Sequence, residues 1–459
     1  MKKYFLSLIT LSSFILAQDL NIKESFNKIL LNNDSLKASY SNIEKMHKLK
    51  DASYMLFAPS IDIIGNYTYI EKKNLNIDIP EVSIPNVPIS SINIPPLNLE
   101  FNNNHFAFGI ISIMYPIYTG GKRLSAINLA KLNIDDANFV AQLNKINLFE
   151  KLIKSYYGLK LSIEVYKTLK DIENGTKLHL ENAIKLEENG QIAKLERLSA
   201  KVEYDKAKTK ANQAKDAADI ALLGFKTIIQ DENISKNVSL DENGNILNLN
   251  LTSELKISQK NLEPLQTYQQ QALSSYPAIK SIEIKKEQTK ELSNIELASF
   301  MPNIGFYGGY VIKDNKTLLN KTIPSWYVGI GAKLSILSPS GRIFKYQASK
   351  IAQNEVDYLH KQAQKDILLL IESTYKEVLS AKHSFYELDS TIELAQENLK
   401  LQEEAFMNGM VNSSQVNDAR NQLSFAKIES KNSQYRYIIA LSKLYAISNN
   451  IENFIDFMN

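Results

Sequence analysis

The chain repeats itself, and this duplication limits the possible folds more than any motif does. Asn33-Asp34-Ser35-Leu36-Lys37 aligns with Tyr276-Pro277-Ala278-Ile279-Lys280 at an offset of 243, and Phe57-Ala58-Pro59-Ser60 aligns with Phe300-Met301-Pro302-Asn303 at the same offset. Farther on, Gly121 pairs with Gly341 at an offset of 220, and Asn189-Gly190 pairs with Asn408-Gly409 at 219. Self-similarity of this kind means one structural unit built twice. The fall in offset leaves the first copy with about 23 extra residues, all between Pro59 and Gly121. They are visible as IPEVSIPNVPISSINIPPLNLE, Ile79 to Glu100. Its five prolines remove backbone donors and fix φ, which predicts an extended loop and not a central strand. The run is also apolar, so it is expected to pack on something or to lie near lipid.

Each copy opens on a helical segment, Asp34 to Phe57 or Pro277 to Phe300, stopped by Pro59 or Pro302 because proline disfavours helix in the residue before it. Two alternating runs follow. In Ser60–Ile70, Ile61, Ile63, Gly65, Tyr67 and Tyr69 share a face against Asp62, Asn66 and Thr68. In His105–Met114, Phe106, Phe108 and Ile110 oppose Ala107 and Gly109. In Asn303–Lys313, Ile304, Phe306, Tyr310 and Ile312 oppose Asn303, Gly305 and Gly309. In Trp326–Ile336, Trp326, Val328, Ile330, Ala332, Leu334 and Ile336 oppose Gly329, Gly331, Lys333 and Ser335. A period of two predicts strands. One face is apolar and often aromatic, and the other is mostly small or polar. Each run is about ten residues, the length of a tilted strand crossing a bilayer. A soluble sandwich with one buried face fits the alternation equally well. If the strands lie in a membrane, four cannot close a barrel, and open edges are not tolerated in lipid. Two chains would then supply eight strands with a filled interior, and three would supply twelve around a channel.

Very long helices come next. From Lys122 to Asn189 there is no proline, and the only glycines are Gly158 and Gly175; Arg342 to Asn408 has neither residue. Sixty-eight residues at 1.5 Å rise span roughly 100 Å. Ile367, Ile371, Thr374, Val378, Ala381, Phe385, Leu388, Ile392, Ala395 and Leu399 alternate steps of four and three, and Leu152, Tyr156, Leu159, Ile163 and Tyr166 do the same. Sustained heptads predict coiled-coil packing. The alanines of AKTKANQAKDAADIA, Ala207 to Ala221, allow close helix approach.

The first residues read as an export leader, 1–17: Lys2 and Lys3, an apolar run from Tyr4 to Leu16, and Ala17 before Gln18. The run is short for a spanning helix, and no later segment is apolar enough for one. Absence of Cys excludes disulfides, thiolate metal sites, cysteine nucleophiles and lipid attachment at a mature cysteine. A net charge of +3 with interspersed signs gives no basic face for nucleic acid. Five His, no nucleophile elbow and no phosphate loop leave no enzyme, cofactor or metal to expect. Met407 and Met410 flank the second tip, where ordinary packing is a better account than a soft-metal site.

At this point the mature chain resembles the TolC family of outer-membrane efflux proteins. The likeness is carried by APSIDIIGNYTY and its echo FMPNIGFYGGY, by YPIYTGGKRLSA and its echo, and by ENGQIAKLERLSAKVEY and MNGMVNSSQVNDARNQL. The resemblance implies an α+β membrane protein, a homotrimer whose twelve-stranded transmembrane β-barrel, four strands per chain, continues into a long α-helical coiled-coil barrel. It implies an internal two-fold repeat: 18–229 the first repeat, 230–262 an equatorial segment, 263–446 the second repeat and 447–459 a tail. It implies a cell outer membrane location with a periplasmic helical domain. The partners would be outer-membrane lipid, a periplasmic adaptor, and an inner-membrane pump or ABC transporter. The implied function is the exit duct of a tripartite efflux pump or type I secretion system; a passive porin or structural stalk without a pump partner is the alternative, and a soluble coiled-coil scaffold a third reading. Adaptor contact is expected at the tips Asn189, Gly190, Asn408 and Gly409. A periplasmic gate is expected around Glu196, Phe406, Gln415 and Asp418, with three copies of Asp418 as the main acidic ring, helped by Glu196. Gln415, which cannot charge, and Phe406 and Val411, where the family has a tyrosine and an arginine, depart from its lock. Pro116, Gly120 and Gly121, echoed by Pro339 and Gly341, read as joins between barrel wall and tunnel wall, with Pro116 ending strand pairing.

Overall fold

The computed structural model describes residues 18–69, 71, 74–77, 97–100, 105–313 and 324–458. The leader 1–17 and residues 79–96 of the proline-rich run lie outside the described residues. In chain order the elements are β1 (Gln18–Leu20), α1 (Ile22–Asn32), α2 (Asp34–Tyr54), β2 (Ser60–Tyr69), β3 (Asn74–Ile77), β4 (Leu97–Glu100), β5 (His105–Thr119), α3 (Lys122–Glu188), α4 (Lys194–Ile229), α5 (Glu232–Asn237), β6 (Ser239–Leu240), β7 (Ile246–Leu247), β8 (Leu249–Leu251), α6 (Leu265–Ser275), α7 (Pro277–Ala298), β9 (Asn303–Lys313), β10 (Trp326–Lys333), α8 (Arg342–Met407), α9 (Ser413–Ile447) and α10 (Ile451–Met458). Both long helices start where the glycine joins predicted, and both stop one residue short of the expected end. Among the described residues no helix is long and apolar enough to cross a membrane.

The sequence reading missed α1 and α6, which stand 243 residues apart. Each is short and ends in an extended residue: Asn33 N–H donates to Ile29 O (2.9 Å) and Tyr276 N–H to Ala272 O (2.9 Å). The signal for α1 was present in Asn21-Ile22-Lys23-Glu24, which closes a capping box: Glu24 N–H donates to Asn21 Oδ1 and Asn21 N–H to Glu24 Oε2.

Contacts divide the chain into two units. One holds residues 45–134 and 285–356; the other holds the chain up to Glu44, 135–284 and 357–459.

The first unit is built on an antiparallel sheet of order β10-β9-β5-β2. Among the described residues it does not close on itself: β2 and β10 are its edges. Paired residues share a face, so the register decides which faces join. Ile61 pairs with Ile113, Ile63 with Ile111 and Tyr67 with Ala107; Ile111 pairs with Tyr310; Trp326 pairs with Tyr310 and Ile330 with Phe306. These residues make one continuous apolar face. Phe108 and Ile110 lie on the other face, beside Asn66, Ile64, Lys313 and Val311. The grouping expected for β5 is thus inverted relative to its neighbours: Ala107, Gly109, Ile111 and Ile113 complete the apolar face. That opposite face is kept shallow by glycine. A Cβ at Gly329 would come within 2.7 Å of the Tyr307 ring, and one at Gly309 within 2.7 Å of the Tyr327 ring.

Three strand limits differ from expectation. β5 does not stop at Pro116: Pro116 pairs with Gly305, and after a bulge Tyr118 and Thr119 pair with Ile304 and Asn303. Beyond Met114, which pairs with the first residue of β2, β5 has a partner on one side only, and an irregular, one-sided strand tolerates a residue without an N–H. β10 ends at Lys333, short of Ile336, because the Ser335 and Ile336 carbonyls turn to the Arg342 guanidinium. Leu97–Glu100, the end of the proline-rich run, pairs with Asn74–Ile77 as a separate ribbon; these residues follow the last proline, so all their donors are present.

The second unit is a helical assembly around a large apolar cluster, with a second, smaller cluster near the hairpin tips. The heptad residues Leu152, Tyr156, Leu159, Ile163 and Tyr166 are all buried, as are Ile367, Ile371, Thr374, Val378 and Ala381. Ala207, Ala211, Ala214 and Ala218 of α4 are buried too. On α9 the buried residues Val416, Ala419, Leu423, Ala426, Ser430, Ser433, Tyr437, Ala440 and Leu444 continue steps of three and four. Residues 230–262 form α5 and β6–β8. β8 pairs in parallel with β1, and Tyr156 holds that pair to α3: its hydroxyl donates to Leu20 O (2.8 Å) and accepts from Ser253 N–H (3.0 Å). Lys160 Nζ adds bonds to Leu251 O (3.0 Å) and Ser253 O (2.7 Å). In the tail, α10 buries Phe454 and Met458.

Candidate functional site

Two constructions recur in the chain, one at each strand-to-helix join and one at each hairpin tip. At the first join Gly120 (φ +65) and Gly121 (φ +87) take left-handed conformations, and Gly341 (φ +68) does so at the second. Non-glycine residues resist this region. Arg123 then folds back over the Phe57 ring, 4.3 Å from its centroid. It donates to Ile117 O (2.9 Å), Thr119 Oγ1 (3.3 Å) and Leu56 O (3.4 Å). Arg342 repeats the arrangement: it sits 4.8 Å over Phe300 and donates to the carbonyls of Ser299, Ser335 and Ile336. Each arginine satisfies carbonyls at a helix end and a strand end at once, a task suited to its planar fork. By its contacts Arg123, two residues past Gly121, is the counterpart of Arg342, one residue past Gly341. Pro339 lies in the turn before Gly341, and Pro116 lies inside β5.

At the tips, Gly190 (φ +69) and Gly409 (φ +72) follow helices that end in the same way. Gly190 N–H donates to Glu187 O and Gln191 N–H to Leu186 O; Gly409 N–H donates to Phe406 O and Met410 N–H to Ala405 O. The N–H of the residue after each glycine reaches back across the last turn, which is the Schellman arrangement. Asn189, Gly190, Asn408 and Gly409 are all exposed.

The helices leaving the tips begin differently. Asn412 and Gln415 close a capping box (3.1 Å in each direction), so Gln415 serves as a cap. The matching positions are Ala193 and Glu196. Alanine has no side chain to cap with, and the Glu196 carboxylate instead accepts the Ser413 N–H of the other hairpin (2.8 Å), while Ser413 Oγ donates to Glu196 O (3.2 Å). A carboxylate at the first turn of α9 also faces the positive end of that helix. Ser413 is fully buried and is reached from α3 as well, by His179 Nε2 (3.2 Å). Phe406 is buried in a small apolar cluster with Ala183, Leu186, Ala200 and Val416, its ring 4.4 Å from that of His179. Asp418 is exposed. The structure therefore brings Glu196, Ser413, His179 and Phe406 together, and leaves Asp418 on the surface.

Behind the tip lies a polar layer that sequence reasoning did not find. Arg420 is buried, ion-paired with Glu403 of α8 and packed against Gly175 of α3. The signal was Gly175 itself, in a helix otherwise nearly free of glycine: a Cβ there would stand 3.3 Å from Arg420 Nε.

Burial, with the Arg420 charge beside it, pushes the His179 pKa down to about 4. An unfolded chain binds that proton near pH 6.5. Below pH 6.5 the unfolded state takes a proton that the folded state refuses, so stability is lost as pH falls from about 6.5 toward about 4. The expected loss is about 1–3 kcal/mol. His179→Gln should flatten the fall of the urea midpoint between neutral and mildly acid pH. An equal fall in both proteins would remove His179 as its cause.

Comparison with known proteins adds the following. Residues 268–450 match a family described as outer membrane efflux protein. No curated protein sequence matches the chain. Three solved structures share its fold over nearly all its length. The Campylobacter jejuni CmeC outer membrane channel is 15% identical, with a TM-score of 0.73 over 95% of this chain and 89% of that one. The outer membrane protein VceC from Vibrio cholerae is 12% identical, with a TM-score of 0.72 over 94% and 96%. The open state of the Neisseria gonorrhoeae MtrE outer membrane channel is 14% identical, with a TM-score of 0.71 over 94% and 89%. The family resemblance read from the sequence agrees with these matches.

Proposed function

We propose that this chain, whose second half matches outer membrane efflux proteins and whose whole length takes the fold of outer-membrane channels, is the exit duct of a tripartite efflux pump or type I secretion system. The observation that carries the reading is the unclosed sheet. Its apolar face runs unbroken across its four strands, and among the described residues its edge strands β2 and β10 have no further partner. Lipid cannot satisfy such edges, so other copies must. Three copies give twelve strands and an open interior. The helical hairpins would then continue the channel on the periplasmic side, with the tips around Gly190 and Gly409 offered to a periplasmic adaptor and an inner-membrane pump or ABC transporter.

In this reading Glu196 ties the two hairpins of one chain, and the exposed Asp418 is the free carboxylate of the gate. Three Asp418 side chains around one axis would attract cations. The test is conductance of the detergent-purified protein in planar bilayers. Multivalent cations added on the helical side should block the wild type and should block Asp418→Ala far less. Equal block in both would refute the acidic gate. The chain has no Cys, so single cysteines at Gln191 and Met410 provide clean cross-linking sites in the envelope. Capture of a periplasmic adaptor supports the duct; a trimer with channels but no partner would leave the passive porin.

A further inference from the structure

We propose that the polar layer behind the tip has an apolar counterpart between chains, in which Phe425 of α9 anchors α4 of the next copy. The inference rests on the multi-copy reading above and adds the contact by which copies meet near the tips.

The chain supplies its own template. The first hairpin, α3 and α4, receives α9: Ser413 reaches His179 and Glu196, Lys431 pairs with Glu164 (3.4 Å), and Lys206, Asn417 and Asn421 border one space with Thr176. The hairpins are related by an offset of 219. The equivalent contact has the second hairpin, α8 and α9, receiving α4 of another copy.

The offset also holds outside the tips. Met114, opposite Ser60, and Lys333, opposite Asn303, stand 219 apart, as do Arg123 and Arg342. Carried through the repeat, the β5–β9 pairs Ile111–Tyr310 and Ile113–Gly308 place Ile330 of β10 opposite Tyr67 of the next copy, and Ala332 opposite its Gly65. All four belong to the apolar face. A register one residue away would set the two faces against each other.

At the tip the same step exchanges the chemistry. Gly175 is replaced by Leu394, Lys206 by Phe425, Asn417 by Leu198, Asn421 by Val202 and Glu403 by Ile184. In one chain Phe425 and Leu394 are each 70% exposed, Val202 51% and Leu198 43%. Single exposed apolar residues are ordinary on a surface. Here they fall on the corresponding positions of one contact, and an ordered apolar patch marks an interface. Phe425 stands out from its neighbours Leu423, Ser424 and Ala426, which are all buried. A bulky aromatic of this kind is the usual anchor of such a contact. Lys201, at the position of Arg420, already pairs with Asp205 of its own helix (3.6 Å), so the seam takes in no unpaired charge.

Chemical cross-linking of the full-length protein in detergent tests the contact. The chain has no Cys. Two differently tagged chains, one Leu394→Cys and one Lys201→Cys, are co-expressed and treated with a short bismaleimide. A link between the two tags forms only between copies. Within one chain the equivalent positions are Gly175 and Arg420, where a Cβ at the first stands 3.3 Å from Nε of the second. The mixture should give a covalent pair carrying both tags, and either variant alone should give none. Phe425→Asp, added to both chains, should cut the yield several-fold. Light scattering measures the copy number independently. Several copies without the mixed product, equal products from the single variants, or a yield unchanged by Phe425→Asp would each overturn the seam and leave the multi-copy reading standing. A mass of one copy would remove both. Should the Phe425→Asp chains fail to fold, the link in the otherwise unaltered chains still decides the contact.

Discussion

Replacing Phe149 with alanine is expected to destabilise the helical unit by about 3–5 kcal/mol. Phe149 is fully buried, and its ring makes edge contacts with Phe26 at 5.3 Å and Phe454 at 5.6 Å. It therefore joins three elements far apart in sequence: α1, α3 and α10. Truncation removes the apolar area and leaves a cavity that three separately anchored helices cannot close. The urea midpoint should fall by a large fraction of total stability, while Phe149→Leu should recover much of the loss. A truncation costing under about 1 kcal/mol would mean that α10 or α1 relaxes into the space, which the packing argues against.

The second large effect is expected at the first join. Gly120→Val should cost about 3–5 kcal/mol, by backbone strain together with overpacking. Gly120 has φ +65, and a Cβ there would lie 2.6 Å from Met301 Cβ and 2.8 Å from Ala298 O. The second contact is with backbone, so no rotamer change relieves it. Gly121 is the control. Its φ is +87, but nothing lies within 4 Å of an added Cβ, so Gly121→Asn carries the conformational cost alone, of order 1 kcal/mol. Heat stability and assembly of the purified protein separate the two: Gly120→Asn should fail where Gly121→Asn survives. Equal behaviour would show that φ, not crowding, controls the join.

Much of the fold was legible because its signals are local. The absence of proline from 122–189 and 342–408, and the steps of three and four, predicted α3 and α8 to within a residue at each end. Period-two alternation predicted β9 at its true limits. The errors arose where a neighbour decides. Pro116 reads as a stop when β5 is considered alone, yet β5 continues because only one side of it is paired there. At the joins Gly121 aligns with Gly341, yet the guanidinium over a phenylalanine belongs to Arg123 in one and Arg342 in the other, one residue out of step with the glycines. Gln415 sits in a capping box and Phe406 in a buried cluster, neither of which follows from counting residues from the tip glycines.

The sequence by itself determined the two long helices and their lengths, the presence of four main strands, and the duplicated order. Each depends on the spacing of residues along a single segment, and helix and strand periods follow from backbone geometry alone. Only the tertiary structure decided that Ile111 and not Phe108 completes the apolar face, that Glu196 reaches Ser413 across the hairpins, and that Arg420 finds Glu403 in a space left by Gly175. Those choices are made by strand register and by side chains meeting from segments far apart in the chain, and a one-residue shift in register exchanges the two faces of a strand.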